Sequence, residues 1–376
     1  MSLLSYFGSV RTEDGIGLAA KLNLQALSTH LSPDDIDIYV LSRPVSHQNP
    51  LLSSEHFIDM ISDHQINLTS SKVNYLHFSP RWCGHYLSKV SPHILGMKCN
   101  IGYWVCETPL INPSWLDMAH LYCEIWTSSE FCRQIYQRHL DIPVYVIPHP
   151  VPLRPISPRI IARKTGQLST PFTVLTIANA FSDLKRKNVA GVISAFKLAF
   201  QNPDPTEARL VVKLTNVDSD LVEYNIIRTL AAGRDDIIII DQHYPPHLID
   251  KLYEEADLYV SLHRSEGFGI TIADALSRGI PAISTNYSGS TDFASYSPDL
   301  LVRYSLVPVG EDRLRYSKND IWAEPDISDA AFRIKLVFSR HKEYIDHTSN
   351  YREVLLGNYS MDSIGSLMAK RLECYL

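Results

Sequence analysis

Residues 256–293, ADLYVSLHRSEGFGITIADALSRGIPAISTNYSGSTDF, constrain the fold more than any other stretch. Ala256 to Leu262 is an apolar run with β-branched and aromatic members, long enough for a buried strand of a parallel sheet. A polar loop with glycines follows. From Ile270 the apolar residues Ile272, Ala273 and Leu276 fall at helical spacing, until Gly279 caps the helix and Pro281 prevents its continuation. Pro281 to Ser284 then starts the next strand.

The chemistry of this unit lies in its loop. Gly267 and Gly269 let the backbone around Phe268 approach a ligand closely, and the amides of Ile270 and Thr271 enter the helix pointing at it. Such a place suits an anion such as a diphosphate. Glu266 and Asp274 bracket it. A carboxylate cannot favour phosphate by charge, so each is read as an acceptor for hydroxyls of a nucleotide sugar. Taken alone, the pair is also open to a plainer reading, with Asp274 a solvated helix residue and Glu266 a cap.

The run HRSEGFGITIADALSRGIPAIST resembles the donor-site motif of family 4 retaining glycosyltransferases of the GT-B fold. That family usually carries a Glu, seven residues, then a second Glu; here Asp274 stands in the second place, one methylene shorter. The continuation TNYSGSTDF and the later WAEPD, Trp322 to Asp326, resemble a bacterial polysaccharide-synthesis subgroup of the family.

A chain of 376 residues suits two domains of ordinary size. With 45% hydrophobic and 20% charged residues it has a globular composition, and a net charge of −6 gives no support for a nucleic-acid partner. No apolar run approaches the length of a spanning helix, and MSLLSYFGSVRTEDG lacks a basic start and a signal-peptide core. The expected location is the cytoplasm, with room for peripheral association at the inner face of the membrane. The six cysteines lack metal-ligand pairing, so neither a zinc site nor a disulfide framework is expected.

Ser2 to Phe7 is predicted as a strand, then a loop, then a helix from about Leu18 to Leu31. The loop lacks G-x-G-x-x-G spacing; it resembles the loop with which the family faces the sugar-diphosphate, and Gly15 and Gly17 are the matching positions. Short strands are predicted at Ile36–Leu41, Val73–Phe78, Cys99–Val105, Glu124–Thr127 and Val144–Ile147, alternating with helices as in a covered parallel sheet. Glu107 follows one strand end, where many family members carry a catalytic-region His; it is read either as a catalytic-region residue or as a cap before Pro113. His77, His85 and His93, with Arg81 and Trp82, are candidates for an acceptor cleft, core packing being the alternative for each His.

The proline-rich run Pro148 to Ile160 reads as a linker that excludes helix and central strand, and its start, with His149, resembles the turn that ends the family's first domain. Beyond it, strands are predicted at Phe172–Ile177, Arg209–Leu214 and Ile237–Asp241. Helices are predicted at about Val189–Phe200, Leu221–Ala232 and Pro246–Glu255, with a mostly helical tail from Ser328. Lys185, Arg186 and Lys187 gather positive charge at a strand end, where the resemblance implies a diphosphate held by Arg186 and Lys187. Lys213 ends another strand, facing either cleft or solvent. Asp218 and Asp220 form a D-x-D, open to a divalent ion or, with Glu223, to a capping box with Asp220 as cap; the cap is the favoured reading.

The resemblance implies an α/β GT-B architecture: two Rossmann-like domains with parallel sheets facing across a cleft, and a C-terminal helix crossing back. The boundaries expected are an acceptor-side domain over 1–155, a linker over 156–170, a donor domain over 171–355, and the returning helix over 356–376. The implied function is retaining transfer of a hexose from a nucleotide-diphospho-sugar to a glycan or lipid-linked glycan. Glu266, Arg186, Lys187 and Glu107 are the catalytic candidates. Gly15, Gly17, Gly267, Phe268, Gly269, Ile270, Thr271 and Asp274 are the donor-binding candidates, with no cofactor and no metal. The alternatives are a nucleotide-sugar epimerase or hydrolase of the same fold, and a non-catalytic subunit of a glycan-assembly complex.

Overall fold

The run LSYFG, Leu4–Gly8, buries every residue (β1), as a central strand of a parallel sheet must when both faces are covered. In the computed structural model, which describes residues 3–12, 14–41, 57–59, 71–82, 98–167, 171–218, 221–313 and 315–375, the chain divides into two units. The first comprises Met1–Pro152 with Asn358–Leu376, the second Leu153–Gly357.

The first unit's sheet contains β1, β2 (Ile36–Val40), β3 (Phe57–Asp59), β4 (Val73–His77), β5 (Cys99–Tyr103), β6 (Glu124–Thr127) and β7 (Val144–Val146). Their order is β3-β2-β1-β4-β5-β6-β7, and every pairing is parallel. The order reverses between β1 and β4, the kind of place where open α/β sheets bind ligands. Strand β3 was not expected.

The first helix runs over Gly15–Leu27, not from Leu18, because the Asp14 carboxylate caps it by accepting from Gly17 N at 2.7 Å. The terminal helix Met361–Leu372 packs against this first helix. A Cβ at Gly365 would meet the Ala26 carbonyl oxygen at 2.2 Å, so only glycine lets the two backbones come so close. Arg371 then reaches the fully buried Glu124 through Nη2 at 2.5 Å, and Trp126 and Tyr375 donate to the same carboxylate at 2.6 Å each. The buried charge is thereby paired and hydrogen-bonded.

The second unit's sheet contains β8 (Phe172–Asn179), β9 (Ala208–Thr215), β10 (Ile237–Ile240), β11 (Leu258–Ser261), β12 (Ala282–Thr285) and β13 (Leu301–Val302). The order is β10-β9-β8-β11-β12-β13, again with every pairing parallel. Val174, Val192, Phe196, Leu210, Val260 and Ile283 meet in its core. An antiparallel ribbon, β14 (Tyr304–Pro308) with β15 (Ile321–Pro325), was not expected.

One expectation is corrected. The proline-rich stretch does not exclude helix: Pro158–Lys164 is helical, with Pro158 in the first turn where its missing N–H costs nothing. Arg159 and Arg163 of that helix clamp the buried Asp257 at 2.8 and 2.9 Å, tying it to the second sheet. The helix Val222–Ala231 has Leu221 at its N-cap position, and the Leu221 side chain makes no cap bond. Glu223 accepts from Arg313 at 2.6 Å; the expected cap Asp220, with Ser219, lies outside the described residues.

Candidate functional site

Strand β8 ends at Asn179, and after a short 3-10 turn the chain forms a one-turn helix, Leu184–Lys187. Asp183 starts this turn and Asn188 ends it, both at positive φ, 69° and 51°. Because β8 lies beside β11, the turn meets the loop that follows Ser261. Arg264 N donates to Arg186 O at 2.7 Å, and Arg186 Nη1 donates to Ser265 O at 2.5 Å.

Glu266 is the centre of the arrangement. Lys187 Nζ donates to its Oε1, and Arg186 Nη1 lies 3.2 Å from its Oε2. Burial raises the Glu266 carboxyl, but the Lys187 and Arg186 charges outweigh that and bring it down to about 2. It is ionised across the physiological range, an acceptor and not a proton donor. Its backbone is held as well: Glu266 N donates to Ser288 Oγ at 2.8 Å, and Gly289 N donates to Glu266 O at 2.9 Å.

Gly269 caps the next helix, Ile270–Ser277, at φ 98°, a conformation that favours glycine. The amides of Ile270 and Thr271 occupy the first turn, which has no intrahelical acceptors to offer them. The Phe268 ring is buried against Phe293, with centroids 4.9 Å apart, so this residue offers the loop its backbone.

Asp274 sits in a charge cluster. Arg154 Nε and Arg278 Nε lie 3.5 and 3.4 Å from its Oδ1, and Arg278 also pairs with Asp250 at 2.5 Å. Burial raises the Asp274 carboxyl more than the two arginines lower it. Asp274 is therefore not a simple solvated helix residue.

His263 is a site residue that sequence reasoning passed over, although it stands in the quoted motif. It is fully buried, with Nδ1 3.1 Å from Ser261 Oγ, and Nε2 3.2 Å from Ser290 Oγ and 3.3 Å from Tyr287 O. Desolvation lowers it to about 4, so the ring is neutral and braces the loop that carries Glu266. Lys185, by contrast, turns away to Glu311 at 2.7 Å. Lys213 faces neither cleft nor solvent: it is buried, donates to Leu214 O at 2.5 Å and Gln242 O at 2.6 Å, and is lowered to about 8 by that burial.

Gly15, Gly17 and Glu107 belong to the first unit. Gly15 opens the first helix, and apart from its chain neighbours and its own helix backbone no described residue lies within 4 Å of where its Cβ would be. Gly17 is required by its own loop, since a Cβ there would meet Thr12 Oγ1 at 2.0 Å. Glu107 is half-buried beyond β5, and the helix that Pro113 opens is capped by Asn112, accepting from Ser114 N at 3.0 Å. His77 is buried and stacked on Tyr103 at 4.5 Å, and both its ring nitrogens lack hydrogen bonds among the described residues. His149 lies beside it, with Nδ1 3.1 Å from Tyr103 Oη. His85 and His93 lie outside the described residues. Among the described residues no helix is long and apolar enough to cross a membrane.

No curated protein sequence matches this chain. Among solved structures, S. aureus TarM, as a point mutant in complex with Fondaparinux, alpha-GlcNAc-glycerol and UDP, is 16% identical with a TM-score of 0.58, over 83% of this chain and 56% of TarM. The chain thus spans little more than half the length of that protein. Anabaena Alr3699/HepE, in complex with UDP and glucose, is 13% identical with a TM-score of 0.67, over 100% of both chains. Sucrose-phosphate synthase from Thermosynechococcus elongatus is 13% identical with a TM-score of 0.71, over 100% of this chain and 99% of its own. These likenesses show the GT-B fold, and residues 160–295, which hold Arg186, Lys187, Glu266 and Asp274, match the family described as glycosyl transferases group 1.

Proposed function

We propose that the chain is a retaining glycosyltransferase that moves a hexose, such as mannose, rhamnose or glucose, from a nucleotide-diphospho-sugar to a glycan or lipid-linked glycan in cell-surface polysaccharide synthesis. The observation that carries this reading is the Lys187–Glu266–Arg186 constellation, set immediately before a helix entered through Gly269. A group 1 glycosyl transferase match over the same residues supports it, as do structural neighbours crystallised with UDP.

The constellation holds a fixed carboxylate and two cations, one positive charge in excess, beside helix-entry amides. Arg186, Lys187 and the Ile270 and Thr271 amides stabilise the diphosphate as its bond to the anomeric carbon breaks. Glu266, ionised throughout, accepts hydrogen bonds from donor hydroxyls. Asp274 accepts from the ribose, exchanging part of its pairing with Arg154 and Arg278. The acceptor oxygen bonds to the anomeric carbon on the face the diphosphate leaves, and its proton passes to the departing phosphate, so the scheme names no protein nucleophile. Glu107, Gly15 and Gly17 are assigned to the acceptor side and the sugar-diphosphate contact of the first unit. The reaction takes place on the cytoplasmic side, with peripheral membrane association where the acceptor is lipid-linked.

Incubation with labelled nucleotide sugars, chosen by their thermal stabilisation of the chain, tests the proposal. Label transferred to a glycan acceptor is the expected product. Conversion of the sugar without acceptor points to an epimerase, and binding without turnover to a non-catalytic subunit. The proposal includes independence from divalent metal: activity should persist with a chelator present. Loss of activity restored by a divalent ion would shift the diphosphate contact toward the Asp218 and Asp220 pair.

A further inference from the structure

We propose that the ribbon β14–β15 is a brace for the cationic turn Leu184–Lys187, with Arg264 and Arg313 as positioning residues for the donor diphosphate. This rests on the donor-site reading above and adds to it residues that do not touch the donor.

A one-turn helix has almost no stability of its own, and its ends leave amides and carbonyls unsatisfied. This one also begins at Asp183 and ends at Asn188 in left-handed conformations that non-glycine residues seldom adopt. Such a turn persists only where its surroundings hold it. At its start, Asp183 Oδ1 accepts from Lys185 N at 2.9 Å and Arg186 N at 3.2 Å. The other oxygen of that carboxylate accepts from Arg313 Nε at 2.5 Å. Arg313 lies in the loop joining β14 to β15, and its remaining nitrogens bond Glu223 at 2.6 Å and Glu311.

The far end of the turn is held from the same ribbon. Arg264 N and Nη1 donate to the carbonyls of Arg186 and Lys185. The same guanidinium forms a two-pronged pair with Glu324 of β15, at 2.7 and 2.8 Å, and Ala323 N donates to Arg264 O at 2.9 Å. It also sits 5.6 Å from the ring centroid of the buried Trp322. Arg264 and Arg313 are thus both engaged by carboxylates. Their effect on a diphosphate comes through the backbone that carries Arg186 and Lys187 and, two residues after Arg264, Glu266. A charge-assisted contact loses much of its value when its donor is misplaced by an ångström, which is why such a turn needs rigid support.

The test is calorimetric titration of the full chain with UDP and GDP, each beside its nucleoside. Glu324→Gln, at a half-exposed position that tolerates the change, should lower affinity for the bound nucleoside diphosphate roughly tenfold while nucleoside affinity stays constant. Arg313→Lys, which cannot fork between Asp183 and Glu223, should act in the same direction and decides the matter where Glu324→Gln does not fold. In a Lys187→Ala background Glu324→Gln should cost little more, because both act on one contact. Unchanged diphosphate affinity in both variants, equal loss of nucleoside and diphosphate, or fully additive losses overturn the brace alone. A wild-type chain that binds neither UDP nor GDP overturns the donor-site reading and the brace with it.

Discussion

Lys187 and Glu266 stand 79 residues apart in the chain and form a direct ion pair at the carboxyl ends of β8 and β11, with Arg186 3.2 Å from the second carboxylate oxygen. The loop thus stores a negative group between the two cations that the proposed reaction needs. Its consequences can be measured.

Lys187→Ala should abolish most turnover while leaving the chain folded, because Arg186 still pairs with Glu266. Loss of one charge-assisted phosphate contact costs about 2–4 kcal/mol of transition-state stabilisation. Steady-state rates beside a thermal melt check both halves; wild-type turnover would remove Lys187 from the site.

Glu266→Gln should lower kcat by a larger factor than Asp274→Asn, since Glu266 stands at the phosphate-binding loop and its contacts can strengthen as the bond breaks. Asp274→Asn should mainly raise the donor KM and weaken binding of the free nucleoside diphosphate, the mark of similar binding in ground and transition states. Kinetics of both variants, beside titration with the nucleoside diphosphate, decide. Loss of that product by Glu266→Gln alone would reverse the two roles.

The fold should weaken as pH falls from about 6.5 toward 4. His77 and His149 are lowered to about 3, and His263 to about 4, each chiefly by burial. Over that window the unfolded chain binds protons that the folded chain does not, so each ring removes up to about 1.4 kcal/mol of stability per pH unit. Below about 4.5 the unfolded chain also protonates the Glu266 carboxyl, which stays ionised in the fold down to about 2, and this adds to the loss, while the raised Asp274 carboxyl acts in the opposite direction. His77→Phe keeps a ring on Tyr103 and deletes two unbonded nitrogens, so it should stabilise the chain at acid pH and flatten the profile. Denaturant melts from pH 4 to 8 test this; an unchanged slope would place the proton uptake elsewhere.

Gly365→Ala should destabilise the first unit by about 1–3 kcal/mol, because its new methyl meets a backbone carbonyl that cannot rotate away. Gly357→Ala is the control: it lies inside the helix His341–Tyr359, where the added methyl meets nothing within 4 Å among the described residues beyond its chain neighbours and its own helix backbone, and should be neutral or stabilising by up to about 1 kcal/mol. Thermal unfolding of the two proteins should give opposite shifts.

Much of the architecture was legible because parallel strands and amphipathic helices write local periodicity. The helix Ile270–Ser277 starts at the expected residue, and strands β8 to β12 fall within a few residues of their predicted places. The ribbon was not legible: Tyr304–Pro308 is exposed along nearly its whole length, so no alternation marks it as a strand, and its partner lies beyond a loop of other chemistry. Nor was the first helix's start, which depends on the single carboxylate of Asp14.

The candidate site divides in the same way. The amino-acid sequence by itself determined that a glycine loop enters a helix after a buried strand, and that a carboxylate and a basic triplet stand at strand ends, since these follow from residue type and spacing. Only the tertiary structure decided which charges meet. The order β8-β11 carries Arg186 and Lys187 to Glu266, Lys185 turns to Glu311, Lys213 is buried among carbonyls, and Asp274 lies between Arg154 and Arg278. Pairings across tens of residues depend on strand order and side-chain direction, which no local pattern of residues encodes.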